Sequence, residues 1–294
     1  MNRLSAMACM EILKIYQAYQ DHHDLERAKN DYRGFLDNVR LAGFSCVEVL
    51  GFEVQIFGVE YIAQALAEAE LCAGGYVWFG DLLNTTPEGQ QKVIEAGMAA
   101  ARQAQLLKTD ILMLAPIAPP DIGQYQQFAL KSALIHNFEL IAVYAQTLGL
   151  ICVFEDIDDI RMPMSDPADI ADVLRGAPHM NLVFDSGNAL FADIPAEDYY
   201  RQLAKYTAHF HLKDMRLAKE DELAAASRSG IKMTGTTVGQ GLVHVSELLE
   251  EVKRAHYTGT IVVEVVANTG ESIVDCLSAS RTYIEQLLAH ADRP

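Results

Sequence analysis

Residues 151–156 read Ile-Cys-Val-Phe-Glu-Asp, and residues 181–186 read Asn-Leu-Val-Phe-Asp-Ser. Each is a short apolar run closed by a carboxylate. Such a run, with no polar alternation, suits a strand buried on both faces, as in a parallel sheet. Outward from these two, similar runs recur at 46–50, 76–79, 111–115, 209–212 and 261–266, with a weaker one at 6–13. Helical patterns alternate with them at 25–42, 59–70, 87–107, 124–148, 167–174, 195–206, 244–255 and 271–289. Thr86 before Pro87 and Asp166 before Pro167 each offer a capping side chain followed by proline at the first helical position. Gly149 supplies a helix stop. Eight strand–helix units predict an α/β fold, a (β/α)8 TIM barrel formed by residues 1–294 as a single domain. A doubly wound open sheet is the runner-up, but it calls for a Gly-rich phosphate turn after the first strand, and none occurs. The stretch 214–238 breaks the rhythm. It follows strand seven at the face where barrel active sites lie, which makes it a candidate lid loop, with a small rim helix over 218–226 as the alternative.

The chain has 294 residues, half of them hydrophobic, and a formal net charge of −17. That charge argues against nucleic acid and anionic membrane surfaces as partners, since both need a basic face. The five cysteines are scattered, odd in number and without a C-x-x-C pair. They read as reduced thiols of a cytoplasmic protein. No apolar run approaches membrane-spanning length.

In a barrel of this kind the C-terminal ends of the strands face the active-site mouth. Strand five ends at Glu155, strand six at Asp185 and strand eight at Glu264, while strand seven offers His209 or His211. The two histidines share strand parity, so alternation does not choose between them. A charge that closes a buried strand must be solvated, paired or metal-bound, and three acids facing one mouth repel unless a cation lies between them. A mostly oxygen donor set with one nitrogen suits Mn²⁺, Mg²⁺ or Co²⁺, with Zn²⁺ also acceptable. Lys213 keeps the parity of the histidines and is a candidate substrate contact. Trp78, the only tryptophan, ends strand three and can stack on an apolar sugar face. Arg216, just past strand seven, is a candidate for binding a phosphate or carboxylate.

The segments AGFSCVEVLGF (42–52), ICVFED (151–156), NLVFDSGNAL (181–190), HFHLKDMR (209–216) and the stretch from VGQG to VVEV (238–265) occur in this order along nearly the whole chain. As an ordered set they resemble the sugar phosphate isomerase/epimerase group of xylose isomerase-like barrels, which includes ketose 3-epimerases and inosose isomerases and dehydratases. The resemblance implies one divalent ion, Mn²⁺ by preference, held by Glu155, Asp185, His211 and Glu264. It also implies that Glu155 and Glu264 move protons on a ketose or related polyol through an enediolate. Glu48 matches a glutamate near the substrate pocket, and Gly239-Gln240-Gly241 a Gly-rich turn. Asn188 stands where the ketose 3-epimerases usually carry a histidine. Leu-Lys-Asp replaces the Gly-Glu that follows their metal-binding histidine, which is closer to inosose-type members. The histidines of the trinuclear nuclease branch are missing after strands three, four and six. The expected function is therefore a metal-dependent isomerase or epimerase. An inosose-type or dehydroshikimate-type dehydratase is the alternative, and a non-enzymatic sugar-binding barrel is the alternative of another class. Related barrels often pair, so a homo-oligomer is an open expectation.

Overall fold

A computed structural model describes residues 2–120, 122–157, 159, 161–222, 224–267 and 270–291. The strands are β1 (Leu4–Met7), β2 (Cys46–Leu50), β3 (Cys72–Gly80), β4 (Ile111–Pro116), β5 (Ile151–Glu155), β6 (Met180–Asp185), β7 (Thr207–Leu217), β8 (Ala225–Ala226), β9 (Lys232–Thr236) and β10 (Ile261–Glu264). The helices are α1 (Cys9–His22), α2 (Leu25–Leu41), α3 (Gly51–Phe57), α4 (Val59–Glu68), α5 (Pro87–Leu106), α6 (Gln127–Thr147), α7 (Pro167–Gly176), α8 (Ser186–Phe191), α9 (Ala196–Leu203), α10 (Val245–Arg254) and α11 (Ile273–Ala291). Strands β1 to β7 run parallel in sequence order, and β10 pairs with both β7 and β1, which closes an eight-stranded barrel. This is the (β/α)8 architecture that the run of strand–helix units predicts.

Local chemistry accounts for the element ends. Thr86 accepts a hydrogen bond from Gly89 N (3.1 Å) at the start of α5, and Asp166 accepts one from Asp169 N (2.9 Å) at the start of α7. Both helices have proline in the first turn, where no N–H is needed. Gly149 follows α6 with φ +78°, the left-handed turn that ends the helix. Strand alternation divides the core. Phe154 stacks outward on Phe138 of α6 (5.1 Å between ring centres), and Phe184 meets Tyr200 of α9 (5.0 Å). Their neighbours Glu155 and Asp185 therefore face the barrel axis.

One expectation is corrected here. Cys46 and Cys72 form a disulfide, while Cys9, Cys152 and Cys276 are free. The bonded pair opens two adjacent parallel strands in register. Scattered spacing in the sequence hides that proximity. The described residues of the 214–238 stretch, expected as a candidate lid loop, include a β-ribbon. Strand β7 continues past the barrel and pairs antiparallel with β9, from Asp214↔Thr236 to Leu217↔Met233, and β8 adds to β9. The reason is backbone hydrogen bonding. β6 ends at Asp185 and β10 at Glu264, in register with His211 and Lys213, so beyond Lys213 the strand has no barrel neighbour. The returning chain supplies the missing partners. Strand β8 also occupies the end of the segment where the rim helix was the alternative.

Among the described residues, no helix is long and apolar enough to cross a membrane.

Candidate metal centre and active site

The ends of β5, β6, β7 and β10 converge on one point. One ligating atom from each of Glu155, Asp185, His211 and Glu264 lies within 4.8 Å of the others. Register explains the convergence: Asp185 sits beside His211, and Glu264 beside Lys213. His211 Nδ1 faces the carboxylates, 2.5 Å from Glu155 Oε1 and 3.7 Å from Glu264 Oε2. Asp185 Oδ1 accepts hydrogen bonds from Gly187 N (2.7 Å) and Asn188 N (2.9 Å) at the start of α8, which fixes its rotamer. Its Oδ2 lies 2.8 Å from Lys213 Nζ, and Lys213 also stands 3.5 Å from Glu264 Oε1.

His209, which parity left as the other candidate, lies deeper. Glu48 Oε1 is 3.3 Å from His209 Nε2 and 3.7 Å from His211 Nε2, so the carboxylate lies between the two rings. Glu48 is 2 % exposed and does not line the cavity above. Glycine makes room for it: a Cβ on Gly75 of β3 would meet Glu48 Oε1 at 2.5 Å.

Electrostatics follow from crowding. Burial pushes Glu264 up to about 7, with Asp185 and Glu155 adding to the shift against Lys213. Burial also raises Glu155, against the pull of His211. Burial works against charge on His211, but Glu155 and Glu48 outweigh it and hold the ring well above the usual imidazole range. Glu48 shows the converse. Burial alone would raise it, yet His209 and His211 bring it down to about 2.

The donor set fits a hard divalent cation. Three carboxylates and one imidazole nitrogen form a mostly oxygen set, and among the described residues Lys213 supplies the one ammonium that pairs with them. His211 Nε2 has no hydrogen-bond partner, and the acceptor it faces, Glu48 Oε1, has none either. Metal-ligating histidines characteristically present their second nitrogen to such a carboxylate.

Above the centre lies a cavity of about 230 Å³. Its polar wall consists of Glu155, Asn188, Lys213 and Glu264, carried by β5, α8, β7 and β10. The opposite arc, from β1, β3 and β4, presents apolar side chains. Asn188 Nδ2 donates to the Asp156 carbonyl (2.7 Å), and Asp156 Oδ1 accepts from Asp185 N (2.8 Å).

The other sequence candidates lie elsewhere. Trp78 points away from the barrel axis, over Gly80, and lines a separate hollow with Asp81, Asn84 and Lys92. Arg216 pairs with Glu222 through two contacts of 2.7 and 2.8 Å within the ribbon segment. The Gly-Gln-Gly turn wraps a neighbour of the site. Asp214 accepts hydrogen bonds from Met215 N, Gly239 N, Gly241 N and Val243 N at 2.8–3.0 Å. Sequence reading missed the deep Glu48–His209 pair and the thioether-rich wall. Glu48 is the middle residue of β2, two below the strand's end, so its depth was readable. The wall was not, because methionines carry no positional signal.

An eight-stranded parallel barrel with an acid-rich centre at its C-terminal mouth defines a general class of α/β enzyme scaffold. The chain belongs to the xylose isomerase-like TIM barrel family, whose model matches residues 36–289. An L-ribulose 3-epimerase structure is similar at 13 % identity and TM-score 0.70, covering 99 % of this chain and 96 % of that one. A xylose isomerase-like TIM barrel protein from Mycobacterium smegmatis, in complex with magnesium, aligns at 16 % identity and TM-score 0.67 over 89 % of both chains. A probable 3-DHS dehydratase from Bacillus anthracis aligns at 15 % identity and TM-score 0.66, covering 97 % and 99 %. At these identities the likeness concerns the fold. No curated protein sequence matches the chain.

Proposed function

We propose that this protein is a divalent-metal-dependent isomerase or epimerase acting on a small ketose or related polyol. The observation that carries the reading is the placement of Glu155 and Glu264. Both line the cavity, both belong to the four-residue cluster, and they come from strands separated by two others. Glu264 removes the proton from the carbon beside a carbonyl, and Glu155, at the other end of the same polar arc, returns one. Return to the opposite face of the same carbon gives an epimer, and return to the neighbouring carbon interconverts ketose and aldose. Asp185 and His211, held by α8 and Glu48, keep their orientation throughout. A bound ion, Mn²⁺ by preference and otherwise Co²⁺, Mg²⁺ or Zn²⁺, would polarise the carbonyl and an adjacent hydroxyl and so acidify the intervening C–H.

Lys213 favours a second reading. Its ammonium faces the cavity beside Glu264, where it can protonate a departing hydroxyl, so the same proton abstraction would end in loss of water. The barrel shared with a probable dehydratase is compatible with that outcome.

Incubation of Mn²⁺-loaded protein with ketoses in deuterated water tests both. Deuterium at the carbon beside the carbonyl, abolished by Glu264→Gln with metal still bound, is the expected result. Loss of water would select the dehydratase reading. Near-normal exchange in Glu264→Gln would remove Glu264 as the base.

A further inference from the structure

Among the described residues, the cavity is polar on one side only. Glu155, Asn188, Lys213 and Glu264 occupy the arc formed by β5, α8, β7 and β10. Facing them are Met7 of β1, Val77 and Phe79 of β3 and Met113 of β4, with Ile157 and Met164 from the segment after β5. Met7, Val77, Met113 and Met164 are buried, and Phe79 is backed by Phe52, whose ring stacks on it at 4.7 Å. Cys9 completes this side, its thiol pushed up to about 12 by burial, so it stays neutral. Thioethers are weak acceptors, and the aliphatic and aromatic groups offer neither donor nor acceptor. Three methionines also make a wall that adapts to an apolar shape.

A molecule bound with its carbonyl and adjacent hydroxyl at the acidic cluster extends its remaining carbons toward this wall. In a fully hydroxylated ketose those carbons bear hydroxyls, and each would lose water without gaining a partner. We propose that the substrate is an α-hydroxyketone whose distal carbons are deoxygenated, a deoxyketose rather than a fully hydroxylated one. This rests on the reading of the site as an α-hydroxyketone enzyme and narrows its substrate class. The cavity volume of about 230 Å³ also limits the molecule to a few carbons.

Matched pairs decide it: ribulose against 5-deoxyribulose, and fructose against 6-deoxyfructose, each with Mn²⁺-loaded protein. Binding is read by calorimetry and thermal shift, and turnover by deuterium incorporation. One unpartnered hydroxyl should cost on the order of tenfold, so the deoxy member of each pair should bind and turn over at least about tenfold better. Met113→Gln, which places an amide in the wall, should erase most of that preference. Val77→Thr is the near-isosteric variant if the glutamine disturbs folding. Equal or better binding of the hydroxylated members overturns the proposal, and so does failure of all four compounds to bind. Exchange without preference leaves the proton-transfer reading standing and removes this one. Preference in binding without exchange does the reverse.

Discussion

Glu48 Oε1 lies 3.7 Å from His211 Nε2, on the opposite side of the ring from the nitrogen that faces Glu155 and Glu264. A buried carboxylate behind a metal-facing imidazole fixes its tautomer and strengthens it as a donor. Replacing such a partner usually weakens metal affinity about 10- to 100-fold. Glu48→Gln should therefore weaken Mn²⁺ binding by that factor in calorimetry while leaving the four ligands in place. Unchanged affinity would show that the two groups are merely neighbours.

Lys213 is the cation on which Asp185 and Glu264 converge. Lys213→Met keeps the aliphatic stem and removes the charge. The metal-free variant should lose about 3–5 kcal/mol of stability, the usual result of removing one partner from a buried ion pair. Its affinity for a divalent ion should rise roughly tenfold, because a positive charge beside the cluster is gone. Denaturation in chelator and Mn²⁺ titration measure the two effects. A fall in both quantities would mean that the lysine orients the carboxylates more than it competes with the ion.

Proton competition gives a third expectation. Glu264 is raised from an ordinary 4.5 to about 7, so between these values the folded metal-free protein binds more protons than the unfolded chain. The contribution of Glu264 to stability is thus present at low pH and is lost as pH rises through about 7. A metal must displace that proton, so apparent Mn²⁺ affinity should fall as pH drops below about 7. Calorimetry in buffers of different ionisation enthalpy should show proton release from the His211 ring at both pH 6 and pH 8, with more at pH 6, where Glu264 is protonated as well. Release independent of pH would place the titrating group elsewhere.

Asp214 is the anchor of the rim. Asp214→Ala leaves four backbone N–H groups without their acceptor and should cost about 3 kcal/mol. Gly241→Ala should be destabilising too, since its Cβ would meet Asp214 Oδ1 at 2.2 Å and the Met215 carbonyl at 2.4 Å. Chemical denaturation of the metal-loaded variants checks both. Wild-type midpoints would show that the turn folds without this carboxylate.

The barrel was legible because β4 is an unbroken apolar run and β5 is one up to Glu155, with ends that fall where the sequence changes character. The acids at strands five, six and eight could be read for the same reason, since each interrupts a buried run. β3 was longer than expected: its first residues, Cys-Ala-Gly-Gly, are small and give no apolar signal, yet the glycines there accommodate Glu48. β7 also ran on, because its last residues alternate polar and apolar and pair only with chain that returns later. The short helices α3 and α8 carry too few turns to show periodicity. The disulfide depends on two strand openings lying side by side, which is a property of the assembled sheet.

The division of the cavity follows the order of the chain. The apolar arc comes mainly from β1, β3 and β4, with Ile157 and Met164 added after β5, and the acids come from β5 onward. On the proposed function, the proton-moving residues thus come from the second half of the chain and most of the apolar wall from the first. A chimera that joined the first half of a relative to the second half of this protein would then keep Glu155, Asp185, His211 and Glu264, need Glu48 restored behind His211, and exchange most of the wall that meets the substrate.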